Sequence, residues 1–197
     1  MMDSNFFALI SRMRYIARWG LMRNALPENI QEHSHMVAVL AHALGVIRRD
    51  IFREPCDVNA LATAALYHDA SEILTGDLPT PIKYHNAEIM SAYHAVEDLA
   101  VQKLLGMLPP ELRETYAAVL SEDKDGDIYP LVKAADKLSA YIKCIEERKA
   151  GNNEFLSAEA QTRAALEASP LPEVQYFLEH FIPAFERDLD ELGAIGQ

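Results

Sequence analysis

The sequence of 197 residues contains few cysteines and no long hydrophobic run. Its two cysteines, Cys56 and Cys144, lie far apart and in no metal-ligand spacing, which excludes a disulfide framework and is typical of a reducing compartment. The hydrophobic residues 6–10 are followed closely by Arg12, so they are too few for a signal-peptide core or a membrane span. We therefore expect a cytoplasmic protein without a membrane segment.

Basic residues are also scarce, because 18 Lys and Arg stand against 30 Asp and Glu, for a net charge of −12. This balance argues against a nucleic-acid polymer as partner, since such binding depends on Lys and Arg that neutralise phosphates. A small phosphorylated substrate stays possible because it needs only local positive charge. Half of the residues are hydrophobic, and the length suits one domain, residues 1–197.

Apolar residues recur at the helical period along nearly every long segment, and no run alternates like a strand. The sequence therefore predicts an all-α protein, a single helical bundle of about seven to eight helices. The expected helices cover residues 6–19, 29–52, 57–76, 89–104, 110–120, 129–149, 157–168 and 172–192, the last with a kink at Pro183. Residues 77–81 are expected to form turns, and residues 121–127 an exposed loop.

The most informative feature is the pair His68–Asp69 within an otherwise apolar helical segment. We expect Glu72 to share their helical face, because residues three and four apart are neighbours. Small alanines nearby leave room for an ion and a substrate. A buried imidazole beside a buried carboxylate is costly without compensation, and a divalent metal compensates well. The alternative interpretation is a core histidine paired with Asp69, with Glu72 exposed.

Two more polar residues interrupt apolar helices. His33 lies in the apolar stripe of the second helix, where a lone histidine is more often a core residue than a ligand. His35 and His42 are competing candidates that periodicity does not eliminate. Asp136 lies among small residues in the helix over 129–149, and taken alone it is an exposed residue beside Lys137.

Taken together, His33, His68, Asp69 and Asp136 form a set of two histidines and two carboxylates from three helices. Mixed nitrogen and oxygen ligation suits Mn, Fe, Co or Zn better than Ca or Mg. Four protein ligands leave one or two positions for water and a substrate oxygen, as a hydrolytic metal site requires.

The ordered H…HD…D arrangement resembles the HD-domain metal-dependent phosphohydrolases, which are all-helical. Five stretches narrow the resemblance to the bacterial HD-domain 5′-deoxynucleotidases, which release phosphate from deoxyribonucleoside 5′-monophosphates. These stretches are Arg18–Trp19 with residues 21–24, and residues 32–34, 67–72, 75–81 and 151–155. The resemblance extends from about Phe6 to about Phe185, and residues 121–127 match least well.

The resemblance implies that His33, His68, Asp69 and Asp136 hold one divalent transition metal such as Co or Mn. It thereby selects His33 over His35. It also implies a homodimer.

The substrate implied by the resemblance is a deoxyribonucleoside 5′-monophosphate. Arg18 would orient its phosphate, and Trp19 would pack against the sugar at C2′, where a ribose hydroxyl would clash. The remaining contacts would come from the ligands His33, Asp69 and Asp136 and from the loop residues Asp77, Leu78, Pro79 and Thr80. Glu72 is expected to act in catalysis, either as general acid to the leaving 5′-oxygen or by orienting the water.

Two other functions stay open from the sequence. One is an HD phosphohydrolase that acts on a deoxynucleoside triphosphate or a guanosine alarmone. A triphosphate site would normally need more basic residues near the metal than Arg18, Arg23 and Lys83 provide. The other is a non-catalytic helical binding protein whose HD pair is structural.

Overall fold

The computed structural model describes residues 4–83, 85–121 and 126–193, apart from the side chain of Thr80. All regular elements in these ranges are helical, which confirms the predicted all-α class. The α-helices are α1 (Phe6–Ile10), α2 (Ile30–Asp50), α3 (Val58–Tyr67), α4 (Glu72–Thr75), α5 (Thr80–Lys83), α6 (Ala87–Gly106), α7 (Pro110–Leu120), α8 (Ile128–Lys149), α9 (Leu156–Glu167) and α10 (Pro172–His180). Short 3-10 helices cover Ser11–Tyr15, Asn153–Phe155 and Ile182–Glu186.

These helices outnumber the seven to eight that the sequence predicts, because some expected helices are divided. The predicted 172–192 helix ends at His180 and is followed only by a 3-10 helix that contains Pro183, whose ring nitrogen cannot donate a helical hydrogen bond. The turn expected over residues 77–81 overlaps the start of the short helix α5. Residues 122–125 of the predicted acidic loop lie outside the described ranges.

The first predicted helix ends early. It becomes a 3-10 helix and stops at Ile16, whose backbone is extended. Arg18 N then donates to Glu28 O at 3.0 Å, and an isolated bridge joins Ala17 to Asn29. Pairing with residues 28–30 replaces the helical hydrogen bonds here, so Arg18 lies in a bend directly after the bridge residue Ala17 rather than at a helix end.

The predicted 57–76 helix is broken at the His68–Asp69 pair. Helix α3 ends at Tyr67, residues 68–71 form a turn, and α4 starts at Glu72. The turn has tight backbone bonds, with Glu72 N donating to Asp69 O at 3.0 Å. The expectation that these side chains lie along one helical face is therefore wrong, although Gly76 ends α4 as predicted, with a φ of 74°.

Two hydrophobic clusters include residues before and after the His68–Asp69 pair in the chain. The larger cluster joins α2, α3, α8 and α10 and includes Ala65 of α3, three residues before His68. The smaller cluster joins Phe6 of α1 to residues of α6 and α7 and includes Ala70, directly after Asp69. The position of the His68–Asp69 pair is thus fixed by core packing on both flanks.

None of the helices in the described ranges is long and apolar enough to cross a membrane.

Helices α2 and α3 approach each other closely at Gly45. A Cβ atom there would lie 2.6 Å from Val58 Cγ1 and 2.9 Å from Leu61 Cδ2. We predict that Gly45→Ala lowers the free energy of unfolding by about 1–3 kcal/mol, as overpacked cores do, measured by urea denaturation. The matched control is Gly106→Ala, where nothing lies within 4 Å of the added Cβ, and it should be neutral or slightly stabilising. Equal stability of the two variants would contradict the close approach.

Candidate active site

The four predicted metal ligands lie together where α2, α8 and the turn after α3 meet. His33 Nε2 is 3.0 Å from Asp136 Oδ1 and 3.5 Å from Asp69 Oδ2. His68 Nε2 is 3.1 Å from the same Asp69 oxygen. Donor atoms of His33, His68 and Asp136 all lie within 4.8 Å of one another. The structure therefore brings together four residues that are spread between positions 33 and 136 of the chain.

The two imidazole rings are oriented by their Nδ1 atoms. His33 Nδ1 lies 3.2 Å from Ser139 Oγ, and His68 Nδ1 lies 2.7 Å from Ala65 O. In metal-binding histidines a hydrogen bond on one ring nitrogen commonly directs the other nitrogen toward the ion. His35 and His42 are exposed, so among the competing histidines of α2 only His33 reaches this cluster.

Both Nε2 atoms are buried, and within the described ranges neither has a hydrogen-bond partner of suitable geometry. Buried polar atoms normally have a partner, whereas these two lie 3.0–3.5 Å from carboxylate oxygens without the geometry of a hydrogen bond. Two imidazole nitrogens and two carboxylates are a donor set that suits a divalent transition metal. The residues present therefore fit such an ion.

The electrostatics of the cluster favour a bound cation. Burial alone would raise the pKa of Asp69, but His68, His33 and Arg18 hold it well below its usual range. His33 lowers the pKa of Asp136 in the same way, against the effect of burial. Burial lowers the pKa of His68, yet Asp69 more than offsets this and raises it to about 9. The two ionised carboxylates therefore make the electrostatic potential of the cluster negative, which attracts a cation.

Arg18 supplies part of that positive charge. Its Nη1 lies 3.5 Å from Asp69 Oδ2, and its side chain is largely buried. Burial lowers the pKa of Arg18, but Asp136 and Asp69 raise it above the ordinary value, so the guanidinium stays charged. A fixed guanidinium beside a metal site is well suited to bind a phosphate.

Trp19 follows Arg18 with a φ of 56°, a left-handed backbone conformation that is uncommon for a bulky residue. Its ring packs against Phe155 with centroids 5.2 Å apart, and its Nε1 donates to Glu28 Oε2 at 3.2 Å. Neither the residue type nor the hydrophobic pattern of the sequence predicts this backbone conformation.

Glu72 is buried next to the cluster. Its Oε1 accepts a hydrogen bond from Lys83 Nζ at 2.7 Å, while in the described ranges Oε2 is buried without a partner. Burial and the charge of Asp69 raise the pKa of Glu72 to about 8, although Lys83 acts in the opposite direction. Lys83 also lies over the ring of Tyr93, with Nζ 4.9 Å from the centroid.

The predicted substrate loop follows α4. Asp77 lies close enough for its charge to raise the pKa of Arg18 and Glu72. Leu78 and Pro79 are half-buried, and Pro79 O accepts from Lys83 N at 3.1 Å, which ties the loop to the residue that pairs with Glu72. The backbone of Thr80 begins α5, and its side chain lies outside what the structure describes.

Glu28 contacts Arg18 and Ser139 contacts His33, and the sequence alone identifies neither as part of the site. Ser139 follows Asp136 by three residues on α8, a spacing that could have indicated it. Glu28 has no comparable signal, because it reaches Arg18 only through the pairing of two extended segments. Arg23, considered above as a basic residue near the metal, is instead highly exposed and lies 3.9 Å from Glu154.

An all-helical fold with this cluster of two histidines and two aspartates defines the class of HD-domain phosphohydrolases. A solved HD-domain phosphohydrolase from Listeria innocua is 26% identical, with a TM-score of 0.81 over 92% of this chain and 88% of that chain. A cyanophage S-2L HD phosphohydrolase, solved with dA and one catalytic Zn²⁺ ion, is 25% identical, with a TM-score of 0.59 over 96% of this chain and 99% of that chain.

The sequence similarity is more specific than the fold. The model of the 5′-deoxynucleotidase YfbR-like family matches residues 5–185, and the chain belongs to this family. It is 50% identical over 194 residues to the 5′-deoxynucleotidase YfbR of Shigella boydii serotype 18, covering 98% of both chains. The 5′-deoxynucleotidase YfbR of Escherichia coli strain K12 matches to the same extent.

We predict that Asp69→Asn loses the metal. The change keeps the shape of the side chain but removes one of the two charges that the cluster offers to a cation. Affinity for Mn²⁺ or Co²⁺ should fall by more than the roughly 10–100-fold typical of losing a residue that only supports a ligand, measured by calorimetry on metal-depleted protein. The control, Asp98→Asn, changes an exposed residue of α6 and should bind metal like the wild type. Equal affinities of the two variants would contradict the assignment of Asp69.

Proposed function

We propose that this protein is a metal-dependent 5′-deoxynucleotidase that converts deoxyribonucleoside 5′-monophosphates to deoxyribonucleosides and phosphate and selects against ribonucleotides. The observation that carries the proposal is the convergence of His33, His68, Asp69 and Asp136 beside the buried charge of Arg18. Family membership and 50% identity to curated 5′-deoxynucleotidases support the substrate class. We further propose one domain over residues 1–197, a cytoplasmic location, a homodimer, and Co or Mn as the metal.

His33, His68, Asp69 and Asp136 would hold the metal, with Ser139 Oγ and Ala65 O maintaining the ring orientations. When bound, a divalent metal acts as a Lewis acid and lowers the pKa of water to near neutrality, which supplies the attacking nucleophile.

Arg18 would bind the non-bridging phosphate oxygens. Its guanidinium has five N–H donors, and a contact to a phosphate is charge-assisted on both sides. The guanidinium would thereby hold the phosphate against the ligand cluster and stabilise the charge that develops on it during the displacement.

Glu72 would donate a proton to the leaving 5′-oxygen. A pKa of about 8 leaves a large fraction of this carboxyl protonated near neutral pH, as a general acid requires. The buried Oε2, which has no partner among the described residues, is the oxygen that could carry this proton. The alternative role, orienting the water, would require the ionised form instead.

The basic residues around the cluster suit one phosphate rather than three. Arg18 contacts Glu28 through Nε and Asp69 through Nη1, and its five N–H donors leave others for a substrate. Lys83, in contrast, is paired with the buried Glu72 at 2.7 Å. Arg23 has an 88% exposed side chain and pairs with Glu154 instead. A triphosphate would bring more negative charge than these basic residues neutralise.

The direct test of the proposed function is product analysis on metal-depleted protein after addition of Mn²⁺ or Co²⁺. We expect free phosphate from dAMP only with metal, a lower kcat/KM for AMP, and no triphosphate from dATP. Release of triphosphate from dATP would assign the protein to the other HD phosphohydrolases. Absence of turnover of all three nucleotides would indicate a binding protein.

The role of Glu72 can be tested through Lys83. The ammonium favours the ionised carboxylate and so lowers the pKa of Glu72, and Lys83→Met removes that effect. The pKa of Glu72 should therefore rise. If Glu72 is the general acid, the alkaline limb of the pH profile of kcat moves to higher pH, because the acid form persists further.

A shift of the acidic limb instead would mean that Glu72 acts in its ionised form and orients the water. Two unmoved limbs would show that Lys83 does not set the protonation of Glu72. The matched control is Lys103→Met, which removes an exposed lysine of α6 and should leave both limbs in place.

A further inference from the structure

We propose that Glu28 is a positioning residue: one oxygen of its carboxylate holds both Arg18 and Trp19. Glu28 thereby sets the phosphate-binding residue and the sugar-selecting residue together. The proposal rests on the proposed function and adds a residue to it. Glu28 Oε2 accepts a hydrogen bond from Arg18 Nε at 3.0 Å and another from Trp19 Nε1 at 3.2 Å.

The local environment makes these contacts strong. The side chains of Glu28 and Arg18 are only 16% and 13% exposed, so their ion pair is poorly screened by water. Because the carboxylate engages Nε, the guanidinium keeps N–H groups on its other nitrogens for Asp69 and a phosphate. Glu28 thus fixes the plane of the guanidinium without occupying all of its donors.

The backbone fixes Glu28 relative to both partners. Arg18 N donates to Glu28 O at 3.0 Å, and Ile30 N donates to Ile16 O at 3.0 Å, so the two segments are paired on either side of the bridge between Ala17 and Asn29. Asn29, directly after Glu28, caps α2 by accepting from Glu32 N. The same segment therefore connects Glu28 to the helix that carries His33.

Trp19 needs such a restraint. Its left-handed backbone conformation is strained for a residue with a large side chain, and packing against Phe155 fixes only one part of the ring. The hydrogen bond from Nε1 to Glu28 fixes the ring rotation. In a 5′-nucleotide only a few bonds separate the phosphate from C2′, so one oxygen that holds both Arg18 and Trp19 also limits where the sugar meets the indole.

The test compares Glu28→Gln with the wild type on dAMP and AMP. The amide keeps the size of the side chain but loses the charge, so kcat/KM for dAMP should fall roughly tenfold or more. The ratio of kcat/KM for dAMP over AMP should fall as well. The control, Glu146→Gln, makes the same change at an exposed residue that lines the same cavity of about 200 Å³ as Glu28, and it should alter neither value.

A double-mutant comparison separates positioning from general weakening. Trp19→Phe keeps a ring but removes the Nε1 donor. In this background Glu28→Gln should not change the dAMP-to-AMP ratio further, while kcat/KM for dAMP should still fall through Arg18. A ratio that stays at the wild-type value in Glu28→Gln would overturn the proposal, whatever happens to turnover.

A spectroscopic readout is independent of activity, because Trp19 is the single tryptophan of the chain. We expect Glu28→Gln to give faster fluorescence depolarisation of Trp19, with Mn²⁺ affinity unchanged and a lower temperature of unfolding, because a poorly screened ion pair is lost. Depolarisation as slow as in the wild type would also overturn the proposal. A wild type that does not hydrolyse dAMP would refute the proposed function itself, before any variant is compared.

Discussion

Two ionised carboxylates that share one buried histidine are the constraint on which the site depends. Asp69 and Asp136 lie 3.5 Å and 3.0 Å from Nε2 of His33, and their like charges would repel without compensation. His33, His68 and Arg18 supply that compensation in the described structure, and both imidazole Nε2 atoms lie close to the carboxylates without the geometry of a hydrogen bond. This arrangement is the physical basis for a metal at this position.

The fold holds the site through packing on several sides. Gly45 allows α2 and α3 to approach closely, and the two hydrophobic clusters include residues on either side of the His68–Asp69 pair. A paired extended segment then brings Arg18 beside Asp69. Two of the proposed metal ligands, His33 and Asp136, come from the packed helices α2 and α8, and the other two, His68 and Asp69, come from the turn after α3. Arg18 and Trp19, which are proposed to contact the substrate, come from a connection between helices, where recognition residues are commonly found.

The sequence predicts most of the helices, because their signals are local: apolar periodicity marks α2 and α8, and Asn29 and Asp57 cap helices as expected. His33 and Asp136 are visible as polar interruptions of apolar stripes. The break at residues 68–71 is not, because the packing of Ala70 and the contact of His68 with Ala65 O decide it. Glu28 escapes detection because its contacts depend on pairing between segments ten residues apart.

The central claim is that one metal lies between His33, His68, Asp69 and Asp136. Anomalous diffraction from crystals grown with Mn²⁺ or Co²⁺ tests it most directly, because the signal locates the ion without assumptions about activity. The account predicts one strong peak in each chain, bonded to both histidine Nε2 atoms and to both carboxylates. A peak elsewhere in crystals of active protein, with these four side chains unligated, would contradict it.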